Sequence, residues 1–86
     1  MFKIKYLSVI AYANGWTMWQ YNDPTCSIDD VTPDMFSKEY DSMNVGDKVI
    51  LSIKGYYIEA VVEKLRNHKV YIKELLRTTI GDSDED

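Results

Sequence analysis

The dipeptide Asn14-Gly15 constrains the fold of this 86-residue chain more than any other feature of its sequence. A two-residue type I′ turn needs positive φ at both central positions, and Asn-Gly adopts that conformation readily. The runs on either side, residues 3–13 and 16–21, are rich in β-branched and aromatic residues, as strands are. Both faces of the first run are largely apolar, which predicts a strand covered on both sides. We therefore predict an N-terminal β-hairpin over residues 3–21.

The second half of the chain reads as a three-stranded meander over residues 47–76. Apolar and polar residues alternate along it, as in a strand with one buried face. Lys54-Gly55 and Asn67-His68 interrupt the alternation and predict the two turns. We expect residues 77–86 to be loose, because chain ends often lack fixed contacts.

A short α-helix is predicted between the hairpin and the meander, over residues 33–43. Thr32 has the chemistry of an N-cap, and Pro33 suits the first helical position. Phe36, Tyr40 and Met43 would then form one apolar stripe. The predicted fold is thus mainly β, a small barrel or rolled antiparallel sheet with one short α-helix. The predicted single domain covers residues 1–80.

The net charge of −4 belongs to the end of the chain and not to the domain. Residues 1–80 have equal numbers of acidic and basic residues, and Asp82, Asp84, Glu85 and Asp86 supply the excess. A neutral body disfavours nucleic-acid binding driven by phosphate contacts. Residues 81–86 are expected to be a flexible, solvated tail, with contact to a basic partner as the alternative.

Catalytic and cofactor chemistry has little support in the sequence. The chain has one cysteine, Cys26, and one histidine, His68, about forty residues apart, which favours neither nucleophilic catalysis nor a zinc site. We therefore expect no enzyme activity, no metal and no organic cofactor. A local basic set near the second meander turn is either an exposed hairpin tip or a small anion contact. It comprises Lys64, Arg66, His68, Lys69 and Lys73.

Aromatic residues make up 13% of the chain, more than so small a domain can bury. Phe36, Tyr40 and one of the two tryptophans are candidates for the core. Tyrosine and tryptophan are favoured at protein–protein interfaces, so we predict a protein-binding surface that comprises Trp19, Tyr21 and Tyr57. A partly exposed core rim and stacking on single-stranded bases are the alternatives.

The absence of an apolar run of about 20 residues argues against a membrane span, and residues 1–12 lack the features of a signal peptide. A single cysteine fits a reducing cytoplasm or a particle that is assembled inside cells. Self-association and a foreign protein partner are both open at this point.

Residues 18–53 resemble small proteins encoded in the structural gene clusters of tailed phages and prophages. The pattern consists of Trp19-Gln20-Tyr21, Asp29-Asp30, Met35-Phe36 and Val45-Gly46-Asp47, with Met35 where those proteins have tyrosine. The resemblance implies a non-enzymatic, virion-associated structural protein of the head decoration or fibre type. Such a protein acts through contacts with its own copies or with another virion protein, in the virion or the host cytoplasm.

Residues 45–76 also look like part of an SH3-like barrel, a generic likeness that carries no function with it. Two alternatives follow from these resemblances. One is an SH3-like binding module, and the other is a small acidic phage-encoded inhibitor of a host factor.

Overall fold

A computed structural model describes residues 2–13 and 15–80, and within them a single five-stranded sheet in the order β1-β2-β3-β4-β5. The predicted mainly-β fold is confirmed, and a rolled sheet fits it. The strands are β1 (Leu7–Ala13), β2 (Trp16–Asp23), β3 (Lys48–Ile53), β4 (Tyr56–Arg66) and β5 (Lys69–Thr79). Short 3-10 turns cover Ile4–Tyr6, Ile28–Asp30 and Ser37–Glu39.

The hairpin and the meander form as predicted, with their turns in the expected places. Ala13 pairs with Trp16 around Gly15, whose φ is +83°, while Asn14 lies outside the described residues. Asn67 and His68 both have positive φ, 53° and 59°, as a tight hairpin turn requires. The predicted tail, residues 81–86, also lies outside the described residues.

The sheet is mixed, and here the prediction of an antiparallel sheet is wrong. β2 and β3 pair in parallel, with Met18 beside Lys48 and Asp23 beside Ile53, whereas the other three neighbouring pairs are antiparallel. A parallel pair requires the chain to return to the same end of the sheet before the second strand begins. Residues 24–47, which we call the crossover, make this return.

The crossover contains no α-helix among its described residues, so the predicted helix over residues 33–43 is wrong. Its backbone hydrogen bonds mostly span three residues, as from Ser37 N to Asp34 O. In an α-helix the carbonyl of Pro33 would accept from Ser37 N. Instead it accepts from Ile72 N in β5, at 2.8 Å. The edge strand β5 thus uses the Pro33 carbonyl, which the first turn of the helix would need as a hydrogen-bond acceptor.

The core lies between one face of the sheet and the crossover. Along β2, β3 and β4 every second side chain is buried, which gives the sheet a core face. The crossover closes this side with Cys26, Phe36 and Met43, all nearly inaccessible. The N-terminal segment adds Phe2, whose ring stacks on Tyr21 and meets Phe36 edge to face.

The last strand is longer than the sequence predicts. We expected a loose segment from residue 77, but β5 runs to Thr79, which pairs with Tyr56. Two bulges in the β4–β5 ladder, one near Ala60 and one near Lys64, shift the register along the way. Arg77, on this extension, pairs with Glu74 at 2.8 Å.

Candidate functional site

Trp19 and Tyr21 belong to the core, so their predicted place on a protein-binding surface is wrong. Trp19 is 9% exposed and Tyr21 is fully buried. The sequence correctly divides the side chains of β2 between two faces. However, the face with Trp19 and Tyr21 turns inward, because the crossover and Phe2 pack on it. Trp16 and Met18, on the other face, remain half-buried.

Each of these two aromatics is tied to a buried aspartate. Trp19 Nε1 donates to Asp47 Oδ2 at 3.0 Å, and Asp47 also accepts from the backbone N–H groups of Thr17 and Asn44. Tyr21 donates its hydroxyl proton to Asp23 Oδ2 at 3.0 Å and accepts from Lys3 N at 2.8 Å. The tryptophan, tyrosine and Gly-Asp elements of the recognised pattern therefore hold β2 and the ends of the crossover together.

Tyr21 and Asp23 have shifted ionisation. Burial, together with the hydrogen bond to Asp23, raises the pKa of Tyr21 to about 12, despite the opposing bond from Lys3 N. Burial alone would raise the pKa of Asp23, but hydrogen bonds from the hydroxyl and amide of Thr25 and from Tyr21 lower it. At neutral pH the pair is a phenol that donates to a carboxylate, which is a stable structural contact.

Tyr57 lies on the opposite side of the sheet, which we call the outer face. Its members occupy the alternate positions of the central strands and are half-buried. The registers bring them into rows across the sheet, such as Gln20–Ile50–Glu59. The outer face comprises Met18, Gln20, Lys48, Ile50, Ser52, Tyr57, Glu59 and Val61.

The outer face is not covered by the two long segments that lie outside the sheet. The N-terminal segment and the crossover are the two long segments outside the sheet, and both pack on the core face. Trp16, beside this face at the start of β2, is likewise only half-buried. The expectation that β1 is covered on both sides is also wrong, since Tyr12 is 80% exposed.

The predicted basic set does not form a single cluster. Lys69 reaches Asp34 of the crossover at 3.8 Å, and the ring of His68 lies 5.1 Å from that of Tyr40. Lys64 lies over the ring of Tyr71, with its Nζ 5.3 Å from the ring centroid. Lys73 pairs with Val61 of the outer face, and Arg66 is exposed beside the turn. The structure therefore spreads these cations around the hairpin.

A groove of about 230 Å³ opens between the crossover and the part of the β4–β5 hairpin that lies away from its turn. Pockets for drug-sized ligands are usually roughly 300–1,000 Å³, whereas a cavity of about 150 Å³ can hold a benzene molecule. The groove is therefore smaller than most sites for drug-sized ligands, but it is large enough for one aromatic side chain. Its lining comprises Val31, Thr32, Pro33, Ile58, Ala60, Ile72, Glu74 and Arg77.

Cys26 is buried in the core, where desolvation and the nearby Asp23 and Asp30 carboxylates raise the pKa of its thiol.

Residues 2–13 and 15–80 contain no group of three or more His, Cys, Asp or Glu side chains arranged to hold a metal ion. Within the same ranges, no helix is long and apolar enough to span a membrane.

The outer face, the groove and the two edges of the sheet are thus the surfaces available for function. Comparison of the chain with models of known protein families, with curated proteins and with solved structures gave no match.

Proposed function

We propose that this protein is a non-enzymatic structural component of a tailed-phage or prophage particle that acts through protein–protein contacts. The observation that carries the proposal is the uncovered outer face of the sheet. A sheet of this size normally packs one face on the core and leaves a polar face to solvent. Here the second face presents Met18, Ile50, Tyr57 and Val61.

The composition of the outer face supports a protein partner over a nucleic acid. Its apolar side chains are interrupted by few charges, which are Lys48 and Glu59 on the central strands and Lys73 of β5 beside Val61. Protein-binding patches combine an aromatic anchor with an apolar surround in this way. Nucleic-acid surfaces need a continuous basic face, and the basic side chains of the β4–β5 hairpin are instead dispersed, with Lys69 paired to Asp34.

Particle association tests the proposal directly. A tagged copy of the chain would be expressed in cells that produce the encoding phage or prophage, and the particles would be purified on a density gradient. We expect the chain to co-sediment with the particles at a fixed ratio to the capsid proteins. Tyr57→Ala should lower that association roughly 30-fold, the loss expected for an interface hot spot.

Tyr40→Ala is the matched control. Tyr40 is also half-buried, but it packs on the core side of the molecule, against His68. If particle association depends on the outer face, the Tyr40 variant keeps it even though its stability falls. Absence of the wild-type chain from purified particles would overturn the proposal. Capture of one defined host protein would then favour the inhibitor alternative, and salt-sensitive DNA binding would favour a nucleic-acid role.

A further inference from the structure

Both edges of the sheet are open, although the crossover protects part of one. Val70 N donates to Ser37 Oγ and Ile72 N donates to Pro33 O, so the crossover covers the first half of the β5 edge. Beyond Ile72, no further hydrogen bond from the described residues protects this side of residues 74–79. Within the described chain, β1 likewise pairs on one side alone, with β2.

These two open edges are apolar, which is unusual for a monomeric protein. Proteins commonly protect open edges with charged side chains or proline. β1 has no charged residue, and the two charges of residues 74–80, Glu74 and Arg77, bind each other at 2.8 Å. The exposed apolar side chains are Val9, Ile10 and Tyr12 on β1, and Leu75, Leu76 and Ile80 at the β5 edge.

The directions and lengths of the two edges are compatible. β1 and β5 run in opposite directions within one copy, given the one parallel and three antiparallel pairings of the sheet. A second copy placed sideways, with the same face up, therefore brings its β1 antiparallel to the first copy's β5. β1 has seven residues, close to the six of the open segment 74–79.

Shape complementarity comes from Tyr12 and the groove. Tyr12 pairs with Thr17, so it lies on the core side of the sheet, and it is 80% exposed. The groove is on that same side, next to the open part of β5, with Arg77 and Glu74 in its lining. In the sideways arrangement, the Tyr12 ring of one copy faces the groove of the other.

We propose that copies of this chain assemble head to tail by β-strand addition, with residues 74–79 of one copy paired to β1 of the next and Tyr12 seated in the groove. This inference rests on the proposed role in protein–protein contact and names the partner as a second copy. Such an interface is heterologous, so it generates a ring or an open filament and not a closed two-fold dimer.

A mixing experiment by sedimentation velocity tests the proposal. The wild-type chain should increase in mass with concentration and pass beyond the dimer. Tyr12→Lys blocks the β1 edge and Leu76→Lys blocks the β5 edge, and each should weaken self-association roughly 30-fold. An equimolar mixture of the two variants should form a 1:1 dimer, because the intact β5 edge of one variant can pair with the intact β1 edge of the other. This dimer should grow no further, because both of its remaining edges are blocked.

The contrary outcomes are distinct. A wild-type chain that stays monomeric, or a single variant that still dimerises strongly, would overturn head-to-tail pairing. The second result would indicate a two-fold interface between like edges. Both substitutions are at exposed sites, and circular dichroism checks that the sheet is intact. If either variant unfolds, Val9→Lys and Leu75→Lys replace the pair, since these side chains are 38% and 54% exposed.

Two further results separate this inference from the proposed function. A chain that is monomeric but still binds particles would refute the inference and leave the proposed function standing. Self-association without particle binding would support the inference and refute the proposed function.

Discussion

The indole Nε1 of Trp19 donates a 3.0 Å hydrogen bond to Oδ2 of Asp47, which lies 28 residues further along the chain. The contact joins the middle of β2 to the last residue of the crossover. The carboxylate is fully buried and also accepts from Thr17 N and Asn44 N, both at 3.0 Å. One side chain therefore fixes the point at which the chain enters β3.

Asp47→Ala should destabilise the fold by about 3 kcal/mol or more, because it leaves several donors unpaired in a buried site. Urea unfolding monitored by tryptophan fluorescence measures the change. Asp41→Ala, at an exposed position of the crossover, is the control and should stay within roughly 0.5 kcal/mol of wild type. Equal effects of the two substitutions would show that the Asp47 contacts contribute little.

Tyr21 should make the folded state sensitive to alkaline pH. Its pKa is about 12 in the folded state, against an ordinary value of 10.0. The stabilisation is therefore complete below pH 10 and is lost as the pH rises from 10 towards 12, since the unfolded state releases the proton first. Urea midpoints measured between pH 8 and pH 11.5 should fall more steeply for wild type than for Tyr21→Phe.

Tyr12→Phe provides the comparison for this pH dependence. Tyr12 is 80% exposed and lies outside the core, so a slope that flattens in Tyr21→Phe but not in Tyr12→Phe would assign the effect to Tyr21. A Tyr21→Phe variant with the full wild-type slope would mean that another group is responsible.

Ser37 should protect the amide of Val70. Its Oγ donates to Asp34 O at 2.7 Å and accepts from Val70 N at 3.1 Å. Ser37→Ala leaves this N–H unpaired in a partly buried place and should cost about 1–2 kcal/mol. Hydrogen exchange at Val70 should accelerate in the alanine variant. Ser42→Ala, at an exposed site, should leave the exchange rate of Val70 unchanged.

Glycine should be required at position 55 because of the backbone conformation there, and not because a larger side chain would clash. Its φ is +81°, and no atom beyond its own chain neighbours lies within 4 Å of the place where a Cβ would be built. Gly55→Ala should therefore cost about 1 kcal/mol of conformational strain. Gly55→Asn should cost less, because asparagine adopts positive φ more readily. Urea unfolding of both variants checks the order, and an asparagine variant as unstable as the alanine variant would contradict it.

Local signals in the sequence predicted most of the secondary structure. Gly15, Lys54-Gly55 and Asn67-His68 lie at the turns where they were expected, because positive φ at these places is a property of a few residue types. The alternation along β3 and β4 likewise predicted two distinct faces. These features depend on residues close in sequence, so they can be inferred without the fold.

The candidate surfaces were predicted less well. Tyr57 lies away from the core, as proposed, but Trp19 and Tyr21 do not. Alternation shows that two faces exist, and it does not show which of them the crossover will cover. No local pattern indicated the open edges or the groove, because both arise from strands distant in sequence.

The sequence by itself determined the β-rich character of this protein, its turns and the division of each central strand into two faces. The tertiary structure alone decided that β2 and β3 are parallel, since the crossover had to return the chain across the core. It also decided against a helix at residues 33–43, because Pro33 O bonds to Ile72 N. A hydrogen-bond acceptor used by a distant strand is lost to the local helix, and only the complete fold shows where that acceptor is used.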